Sequence, residues 1–559
     1  MKMSINFKNI QWGAAVGVLL LLAGCKKDFA DINTNPSNVT TPEIKFLLSF
    51  SEERMATYQG TEWVWEGFEQ TYRFTQHFTM SPYELTTNVN SRYGAYYGQI
   101  LPNLAEIRRQ IDLKDNKADY AKAKAVTYIL GIMQGLKVTD LNGSIPYTEA
   151  MKGRYDGVFS PAFDNQQALF TAWLAELNTA ITDLTAASTS STVSYGTSDI
   201  IYKSDWTKWA KLANTLKLRI AARFENENAA KTAEIAKEVA NSPVGPLQLS
   251  DDDAVYSSRD YDASGGAINY RDIKYGSTAL INFMKKVNDP RTGVYFNPND
   301  LVGSFKDTLT KYASTLPAFI DINDPLIQFQ GGPVDWTLNA PQQNYFRNAF
   351  VVSPLNKYNL ISTINRRFFA PRWDGTTTGT YTELLAGAAE SCFLMAEFIK
   401  KGYATGDFNA WYNKGIEASI KSMNTIAKTA GSTTAFSGTG AAEISAYQNN
   451  ALVKLNGTND LERIYVQQHV NLVREPNEAF VFCRRTGYPK TGSAYFGREV
   501  FNEPIPRRFW IDDPGEVNRA NWTAAYSEQG FTPNVKDALS LSKERVWYDK
   551  KAPAFGAGN

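Results

Sequence analysis

The segment Ser204–Phe224, SDWTKWAKLANTLKLRIAARF, carries the clearest secondary-structure signal in the chain. Its apolar side chains recur at steps of three or four residues, at Trp206, Trp209, Ala213, Leu216, Ile220 and Phe224. This spacing places them on one face of an α-helix and predicts that this face packs into a core. Ser204 is the predicted N-cap, and Lys208, Lys211 and Lys217 are predicted to face solvent. The pattern indicates a scaffold helix in a helical domain and carries no chemistry of its own.

The composition describes a large globular chain without a charge bias. Of its 559 residues, 43% are hydrophobic, which is ample for a large core. Lys and Arg number 58 and Asp and Glu number 57, so no basic surface for nucleic acid is expected. Three Cys argue against a disulfide scaffold or a cysteine zinc module, and His77 and His469 form no metal-binding motif. We therefore predict no metal, no cofactor and no nucleic-acid partner.

Residues 1–24 have the features of a secretory signal peptide. Lys2 and Lys8 precede the apolar run Ala14–Ala23, which is too short for a comfortable membrane span. The run ends in Leu-Ala-Gly-Cys25, which resembles the bacterial lipobox. This resemblance implies that Cys25 becomes the lipid-modified first residue of the mature chain, and palmitate is one expected acyl group. The alternative is an ordinary secretory signal followed by an incidental Cys. Each buried CH₂ group contributes about 0.8 kcal/mol, so several acyl chains would anchor the protein firmly.

Residues 25–42 are predicted to be a lipidated tether. Asn, Thr, Pro and Ser dominate this stretch, and that composition favours an extended linker over a helix. Its charged start, Lys26-Lys27-Asp28, resembles the signal that exports Bacteroidetes lipoproteins to the cell surface. The resemblance implies a lipid-anchored outer-membrane protein that faces the cell exterior.

Residues 43–559 are predicted to form a single, mostly α-helical domain. Helical periodicity is found in several segments: Glu43–Tyr58, Arg92–Ile111, Ala118–Thr139, a helix capped by Asp164, Glu383–Lys401, Phe408–Thr425, Ile464–Val473 and Asn477–Arg485. From about 245 to 380, Gly, Pro, Asp and Asn are frequent and helical periodicity fades. Loops of this length are functional or disordered, and the many aromatic residues argue against disorder. We therefore predict a loop-rich insertion with a functional role.

Six short stretches resemble, in the same order, stretches of the SusD/RagB family of nutrient-binding lipoproteins. They are Leu141–Met151 (LNGSIPYTEAM), Asp205–Arg223, Asn288–Arg291 (NDPR), Ala389–Tyr403, Gln467–Pro489 and Pro504–Trp510 (PIPRRFW). Three details depart from the family pattern: Cys392, Cys483, and the order Asn142-Gly143-Ser144 where Gly-Asp is usual. The six stretches together span most of the mature chain.

The resemblance implies both a fold and a function. The fold is a SusD-like arrangement of tetratricopeptide-like helix pairs with an irregular, loop-rich part that faces the ligand. The implied function is carbohydrate binding for nutrient uptake at the outer membrane. Members of the family deliver oligosaccharides, or in some cases peptides, to a SusC-like TonB-dependent transporter, and they are not enzymes.

Candidate ligand-binding residues combine flat apolar rings with polar neighbours. A sugar ring stacks its C–H face on an indole, while its hydroxyl groups bond to amide, carboxylate and guanidinium groups. Three sets fit this description: Trp63 and Trp65 with Asn88, Asn90 and Arg92; Trp336 with Asp335 and Asn339; and Trp373 with Asp374. Core packing is the competing interpretation for any single Trp. Trp336, which lies among Gly, Asp and Asn residues, is the strongest single candidate.

Two other features have a structural interpretation. Asp251-Asp252-Asp253 lacks the spacing of a calcium loop, so we predict a solvated loop. Cys392 and Cys483 fall in apolar helical surroundings, and we predict buried free thiols.

Two other classes of function remain open from the sequence alone. A surface glycoside hydrolase would need two carboxylates about 5–10 Å apart across a cleft, and no motif singles out such a pair. The third possibility is a structural interaction protein that binds no ligand. We predict no catalytic residues.

Overall fold

The computed structural model describes residues 42–61, 66–67, 70–79, 85, 87–260, 275–302, 321–335, 360–369 and 379–558. The predicted signal peptide and nearly all of the predicted tether lie outside these ranges. The described chain is mostly α-helical, as predicted.

The helices of the first half form consecutive packed pairs. In chain order they are α1 (Ile44–Thr61), α2 (Tyr72–Thr75), α3 (Ser91–Ala95), α4 (Leu101–Asp112), α5 (Ala121–Asn142), α6 (Gly153–Asp156), α7 (Gln166–Thr185), α8 (Trp206–Phe224) and α9 (Ala229–Ala240). A π-helical turn, Tyr96–Ile100, joins α3 to α4. Helix α4 packs on α5, α7 on α8, and α8 on α9, which is the helix-pair layout that the resemblance implied.

The second half adds further helices around the same core. They are α10 (Thr278–Lys286), α11 (Thr292–Tyr295), α12 (Arg366–Phe369), α13 (Ala388–Lys400), α14 (Phe408–Thr429), α15 (Ala441–Gln448), α16 (Asp460–Asn471), α17 (Pro476–Thr486), α18 (Arg519–Gln529) and α19 (Ala538–Leu541). Helix α13 packs against α14 on one side and α16 on another, and it also contacts α8. Both halves therefore share one interior.

Two small antiparallel sheets occur in the described chain. Their strands are β1 (Phe78–Thr79), β2 (Ala254–Asp260), β3 (Tyr275–Gly276) and β4 (Thr380–Ala386). Strand β1 pairs with β3, and β2 pairs with β4. The predicted helix Glu383–Lys401 is therefore wrong at its start, because Glu383 lies opposite Tyr256 in the β2–β4 pair and the helix begins at Ala388. Local periodicity could not show this, since the partner strand lies more than 100 residues upstream.

Helix α8 is more deeply buried than its sequence pattern predicted. Every residue from Leu212 to Phe224 is buried, so the helix has no solvent-exposed face over this length. Lys217 was predicted to face solvent, but it is 2% exposed and its ammonium group donates to the Asn178 amide oxygen at 2.6 Å. The N-cap is Asp205, whose carboxylate accepts from the Lys208 N–H at 3.0 Å. Ser204 has a φ of 63°, which is unsuited to the extended backbone of an N-cap.

The cap of α7 also differs from the prediction by one residue. The Asn165 side chain accepts from the Ala168 N–H at 2.9 Å, so Asn165 is the N-cap instead of Asp164. The Asp164 carboxylate accepts from the N–H groups of Tyr147 and Thr148, at 2.9 and 3.0 Å. Asp164 therefore fixes the loop after α5 against the start of α7.

Buried ion pairs join the stretches that carry the family resemblance. The Arg219 guanidinium group bonds to Glu390 and Glu475, each at 2.6 Å. Arg223, one turn further along α8, bonds at 2.7 Å to Asp140 and to Glu478. Burial alone would raise the pKa of Glu478, but Arg223 and Arg219 outweigh it and lower the pKa to about 2. Helices α5, α8, α13 and α17 are thus held together by charges that water does not reach.

The Asp251–Asp253 segment is only partly solvated, which corrects the prediction for two of its residues. Asp252 and Asp253 are buried, whereas Asp251 is exposed. The Asp252 carboxylate pairs with Lys211 at 2.9 Å. Asp253 accepts from the Ala388 N–H at 2.7 Å and from the Ser422 hydroxyl at 2.5 Å, so it stabilises the start of α13.

Three further observations concern the thiols, metals and membrane spans. Cys392 and Cys483 are buried free thiols, as predicted. Within the ranges given above, no cluster of His, Cys, Asp and Glu side chains has an arrangement that could hold a metal ion. Over the same part of the chain, no helix combines the length and apolar character needed to cross a membrane.

Candidate ligand-binding groove

An open groove lies between the start of α3 and the segment that follows Trp510. Its volume is about 390 Å³, within the range of small-ligand sites. Two short stretches line it: Asn90, Ser91, Tyr93 and Gly94 on one side, and Ile511, Asp512 and Pro514 on the other. The lining thus combines apolar side chains with an amide, a hydroxyl and a carboxylate.

The first wall is the beginning of the long helix that continues into α4. The Tyr93 ring lies 4.6 Å from the Tyr97 ring, centroid to centroid, and is tilted by 47°. The Tyr97 hydroxyl donates to the Pro146 carbonyl at 2.5 Å, which holds this ring pair in place. Burial raises the pKa of Tyr93 well above its usual value, so the phenol keeps its proton and remains a hydrogen-bond donor.

The second wall is held by bonds to the C-terminal part of the chain. The Ile511 N–H donates to the Tyr526 hydroxyl at 2.7 Å, which fixes the wall to α18. The Asp512 carboxylate accepts from the Trp510 indole N–H at 3.1 Å and from the Lys536 ammonium group at 2.8 Å. This carboxylate therefore has a fixed direction at the groove surface.

Asn142 bridges the two walls beneath the groove. Helix α5 ends at this residue because Gly143 takes a φ of 77°, where a Cβ atom would collide with the Gln529 side chain. The Asn142 amide N–H₂ donates to the Asn90 side-chain oxygen at 3.3 Å and to the Trp510 carbonyl at 3.0 Å. The Asn90 side-chain nitrogen is shielded from water and has no acceptor among the described residues. Leaving a buried donor without an acceptor costs about 1–3 kcal/mol. An acceptor that reached the Asn90 N–H₂ group beside the groove would remove this cost.

The predicted site residues fall into three groups. Asn90 lines the groove. Arg92 and Asp335 are 1% and 2% exposed, so the prediction that their side chains contact a ligand directly is corrected. Trp63, Trp65, Trp336 and Trp373 lie outside the described residues, as do Asn339, Asp374 and the side chain of Asn88.

Burial gives Arg92 and Asp335 structural roles. The Arg92 guanidinium group pairs with the Glu66 carboxylate and donates to the Asn477 amide oxygen at 2.6 Å. It also donates to the Lys137 carbonyl at 2.7 Å. The Asp335 carboxylate accepts from the Asn502 N–H at 2.8 Å, which links the loop-rich region to the C-terminal part of the chain.

Sequence reasoning missed most of the groove lining. Tyr93 falls at the start of the predicted helix Arg92–Ile111, and helical periodicity does not show that its side chain lines an open groove. Ile511, Asp512 and Pro514 come from a segment more than 400 residues downstream of Asn90. The sequence contained one signal for this wall. The stretch Pro504–Trp510 resembles the family, and it ends directly before the wall.

A helical scaffold that presents an open, partly apolar groove defines a ligand-binding protein. Residues 34–511 match the model of the SusD-like family, which is described as starch-binding and associating with the outer membrane. The chain belongs to this family. No curated protein matches the chain.

Solved structures confirm the SusD-like fold. A chitin-binding protein is 23% identical, with a TM-score of 0.67 over 91% of this chain and 100% of its own. A chitin-binding SusD homologue from Flavobacterium johnsoniae is 20% identical, with a TM-score of 0.63 over 91% of this chain and 99% of its own. A SusD homologue from Bacteroides fragilis is 22% identical, with a TM-score of 0.61 over 89% of this chain and 99% of its own.

Proposed function

We propose that this protein is a surface lipoprotein of the outer membrane that binds an oligosaccharide and delivers it, uncleaved, to a SusC-like TonB-dependent transporter. The observation that carries the proposal is the groove between Asn90–Gly94 and Ile511–Pro514 on a SusD-like scaffold. Cys25 is the proposed lipid attachment site, and residues 25–42 are the proposed tether. The partnership with a transporter is proposed from family membership alone.

The chemistry of the groove suits a sugar. The apolar surfaces of Tyr93, Ile511 and Pro514 match the C–H face of a pyranose ring. Rotation of the Asn90 amide would present its unused N–H₂ group to a ligand oxygen, and the Asp512 carboxylate would accept from a hydroxyl or amide N–H. We retain Trp63, Trp65, Trp336, Trp373 and Asn88 as proposed further contacts.

Binding without cleavage is favoured over hydrolysis. One carboxylate, Asp512, lines the groove within the described residues, and it is already bonded to Trp510 and Lys536. The usual glycosidase mechanism needs two carboxylates, one on each side of the scissile bond. A peptide is the alternative ligand, because the same amide and carboxylate would also bond to a peptide backbone.

The test is a titration of the full mature protein in detergent with three kinds of probe. Chitin oligosaccharides come first because two of the similar structures are chitin-binding proteins. Malto-oligosaccharides follow because the family is described as starch-binding, and unstructured peptides test the alternative. We expect one glycan series to bind and no shorter products to form.

Variants connect the binding to the groove. Tyr93→Ala removes the ring and is expected to weaken glycan binding about tenfold or more, equivalent to about 1.4 kcal/mol. Leu249→Ala is the matched control, since Leu249 is 58% exposed and does not line the groove. Equal affinities for these two variants, binding of peptides alone, or the appearance of shorter glycans would each overturn the proposal.

A further inference from the structure

We propose that Phe159 is a second platform for the same glycan, so that the ligand is an extended chain running from the groove to this ring. The inference rests on the proposed function. It adds a position outside the groove and a requirement for chain length.

Phe159 is a strongly exposed aromatic ring. Four aromatic side chains of the described chain are strongly exposed: Phe46, Phe50, Tyr155 and Phe159. A cationic group lies over each of the first three rings, from Lys45, from Arg54, and from Arg109 together with Arg154. Phe159 is 71% exposed, and neither a cation nor another ring of the described residues lies against it. Its face is therefore free to stack on a flat apolar surface.

Hydrogen bonds hold the backbone that follows Phe159. The Ser160 hydroxyl donates to the Asn518 side-chain oxygen at 2.9 Å. The Asn521 amide donates to the carbonyl groups of Ser160 and Pro161, at 2.9 and 3.2 Å. The segment that carries Phe159 is thus attached to the first turn of α18. Backbone that is already held in place loses little conformational freedom when a ligand binds.

Val517 extends the apolar surface toward the groove. It is 67% exposed and precedes Asn518, which is bonded to the residue after Phe159. Val517 comes three positions after Pro514 in the groove wall, a span of at most about 11 Å. The chain between them turns, because the Arg519 N–H donates to the Gly515 carbonyl at 2.9 Å. The groove wall and Asn518, which bonds to the segment that carries Phe159, are therefore parts of one continuous stretch of chain.

Helix α18 connects the other side of the groove to the same platform. The Tyr526 hydroxyl accepts from the Ile511 N–H, and its proximity helps to raise the pKa of Tyr93 in addition to burial. The first turn of the same helix holds the segment that carries Phe159. Helix α18 therefore contacts both the groove wall and the segment that carries Phe159.

Two of the cationic groups near the platform are neutralised by ion pairs. Arg519 pairs with Asp513 at 2.7 Å, and Arg109 pairs with Glu106 at 2.7 Å. Paired charges offer little attraction to an acidic polymer or an anionic lipid surface. A bare ring beside amide groups and paired charges instead suits a neutral sugar, whose C–H face and hydroxyl groups need both kinds of surface.

The test measures how affinity depends on chain length. The full mature protein in detergent is titrated with chitin oligosaccharides and malto-oligosaccharides, from the disaccharide to the longest soluble member. Phe159→Ala is compared with Phe46→Ala, the control at an exposed ring that a cation covers. We expect the affinity of the wild-type protein to rise with chain length. Phe159→Ala should lower the affinity for long chains about tenfold and leave the affinity for the disaccharide unchanged. Tyr93→Ala should weaken both.

Other outcomes overturn the inference, and one of them also overturns the proposed function. Equal affinity of Phe159→Ala and wild type for long chains rules out the platform. Reduced recovery of a TonB-dependent transporter with Phe159→Ala, with every glycan affinity unchanged, would assign the ring to a protein contact instead. Absence of binding to glycans of any length by the wild-type protein would reject the proposed function itself.

Discussion

Arg223 and Glu478 lie 255 residues apart in the chain, and their side chains meet in the interior at 2.7 Å. Neither side chain has more than a tenth of its surface exposed. Asp140, Glu390 and Glu475 belong to the same cluster through Arg223 and Arg219, so the cluster joins helices α5, α8, α13 and α17.

Replacing Glu478 with Ala should destabilise the protein by about 3–5 kcal/mol, because a buried guanidinium group would lose a carboxylate. Chemical denaturation at neutral pH measures this loss. Glu417→Ala is the control, since Glu417 pairs with Lys421 on the exposed face of α14 and its removal should cost at most about 0.5 kcal/mol. Similar losses for the two variants would contradict a structural role for the cluster.

Asn90 and Arg92 should respond to substitution in opposite ways. Asn90→Ala is expected to weaken glycan binding and to leave the free energy of unfolding nearly unchanged, because Asn90 lines the groove. Arg92→Ala should cost about 3–5 kcal/mol of stability, because its buried partner Glu66 would be left without a counter-charge. Titration and denaturation of the same two preparations separate these effects. Loss of stability in Asn90→Ala without loss of affinity would remove Asn90 from the site.

The stacked pair of His77 and His469 should make the protein sensitive to acid. Their ring centroids lie 3.9 Å apart and both rings are buried. Burial lowers the pKa of His77 to about 4, and burial with the neighbouring His77 lowers the pKa of His469 well below 6.5. In the unfolded chain both protonate near pH 6.5, so each should reduce the free energy of unfolding by about 2 kcal/mol between pH 6.5 and 5.

His469→Phe tests this expectation, because it keeps a ring against His77 and removes one titrating group. At each pH, the free energy of unfolding of wild type is subtracted from that of the variant. This difference should rise as the pH falls below 6.5. A flat difference would show that the pKa of His469 is the same in the folded and the unfolded protein, which contradicts the lowered pKa.

Asp253 should have the opposite pH dependence. Burial raises its pKa to about 7, against the lowering effect of bonds from Ala388 and Ser422. The unfolded carboxyl group ionises near pH 4, so the folded state loses stability as the pH rises from about 4 to 7, by on the order of 4 kcal/mol. Asp253→Asn keeps an oxygen for the Ala388 N–H and should gain stability relative to wild type over this range. A constant difference between the two would contradict the raised pKa.

Cys25→Ala should release the protein from the outer-membrane fraction, because no acyl chain would then attach. Cys392→Ser is the matched control, since Cys392 is a buried thiol and its replacement should leave the protein in the membrane. Fractionation followed by immunoblotting compares the two. Membrane retention of the Cys25 variant would contradict the lipid anchor.

Sequence periodicity was sufficient to identify the helical scaffold, and long-range pairing explains what it could not show. The core face of α8 was predicted correctly, but the burial of Lys217 and Arg219 was not, because their partners come from other helices. Glu383 was assigned to a helix because its partner strand, β2, is remote in sequence. In both cases a local sequence pattern cannot show which distant segment packs against the residue.

The candidate site was predicted less well, for a related reason. Asn90 was identified because it is polar and follows an aromatic-rich stretch. Arg92, two residues later, has the same kind of surroundings in sequence but points into the interior. The second wall of the groove depends on the contact between Trp510 and Asn142, which joins the two ends of the fold.

The cluster around Arg223 also bears on how the chain folds during synthesis. At roughly 5–20 residues per second, Glu478 leaves the ribosome about 10–50 s after Arg223. Until Glu475 and Glu478 are made, the guanidinium groups of α8 lack at least two of the four carboxylates that pair with them in the folded protein. A fragment that ends before α17 should therefore be a target for chaperones and proteases, and a stable recombinant product has to include the whole domain.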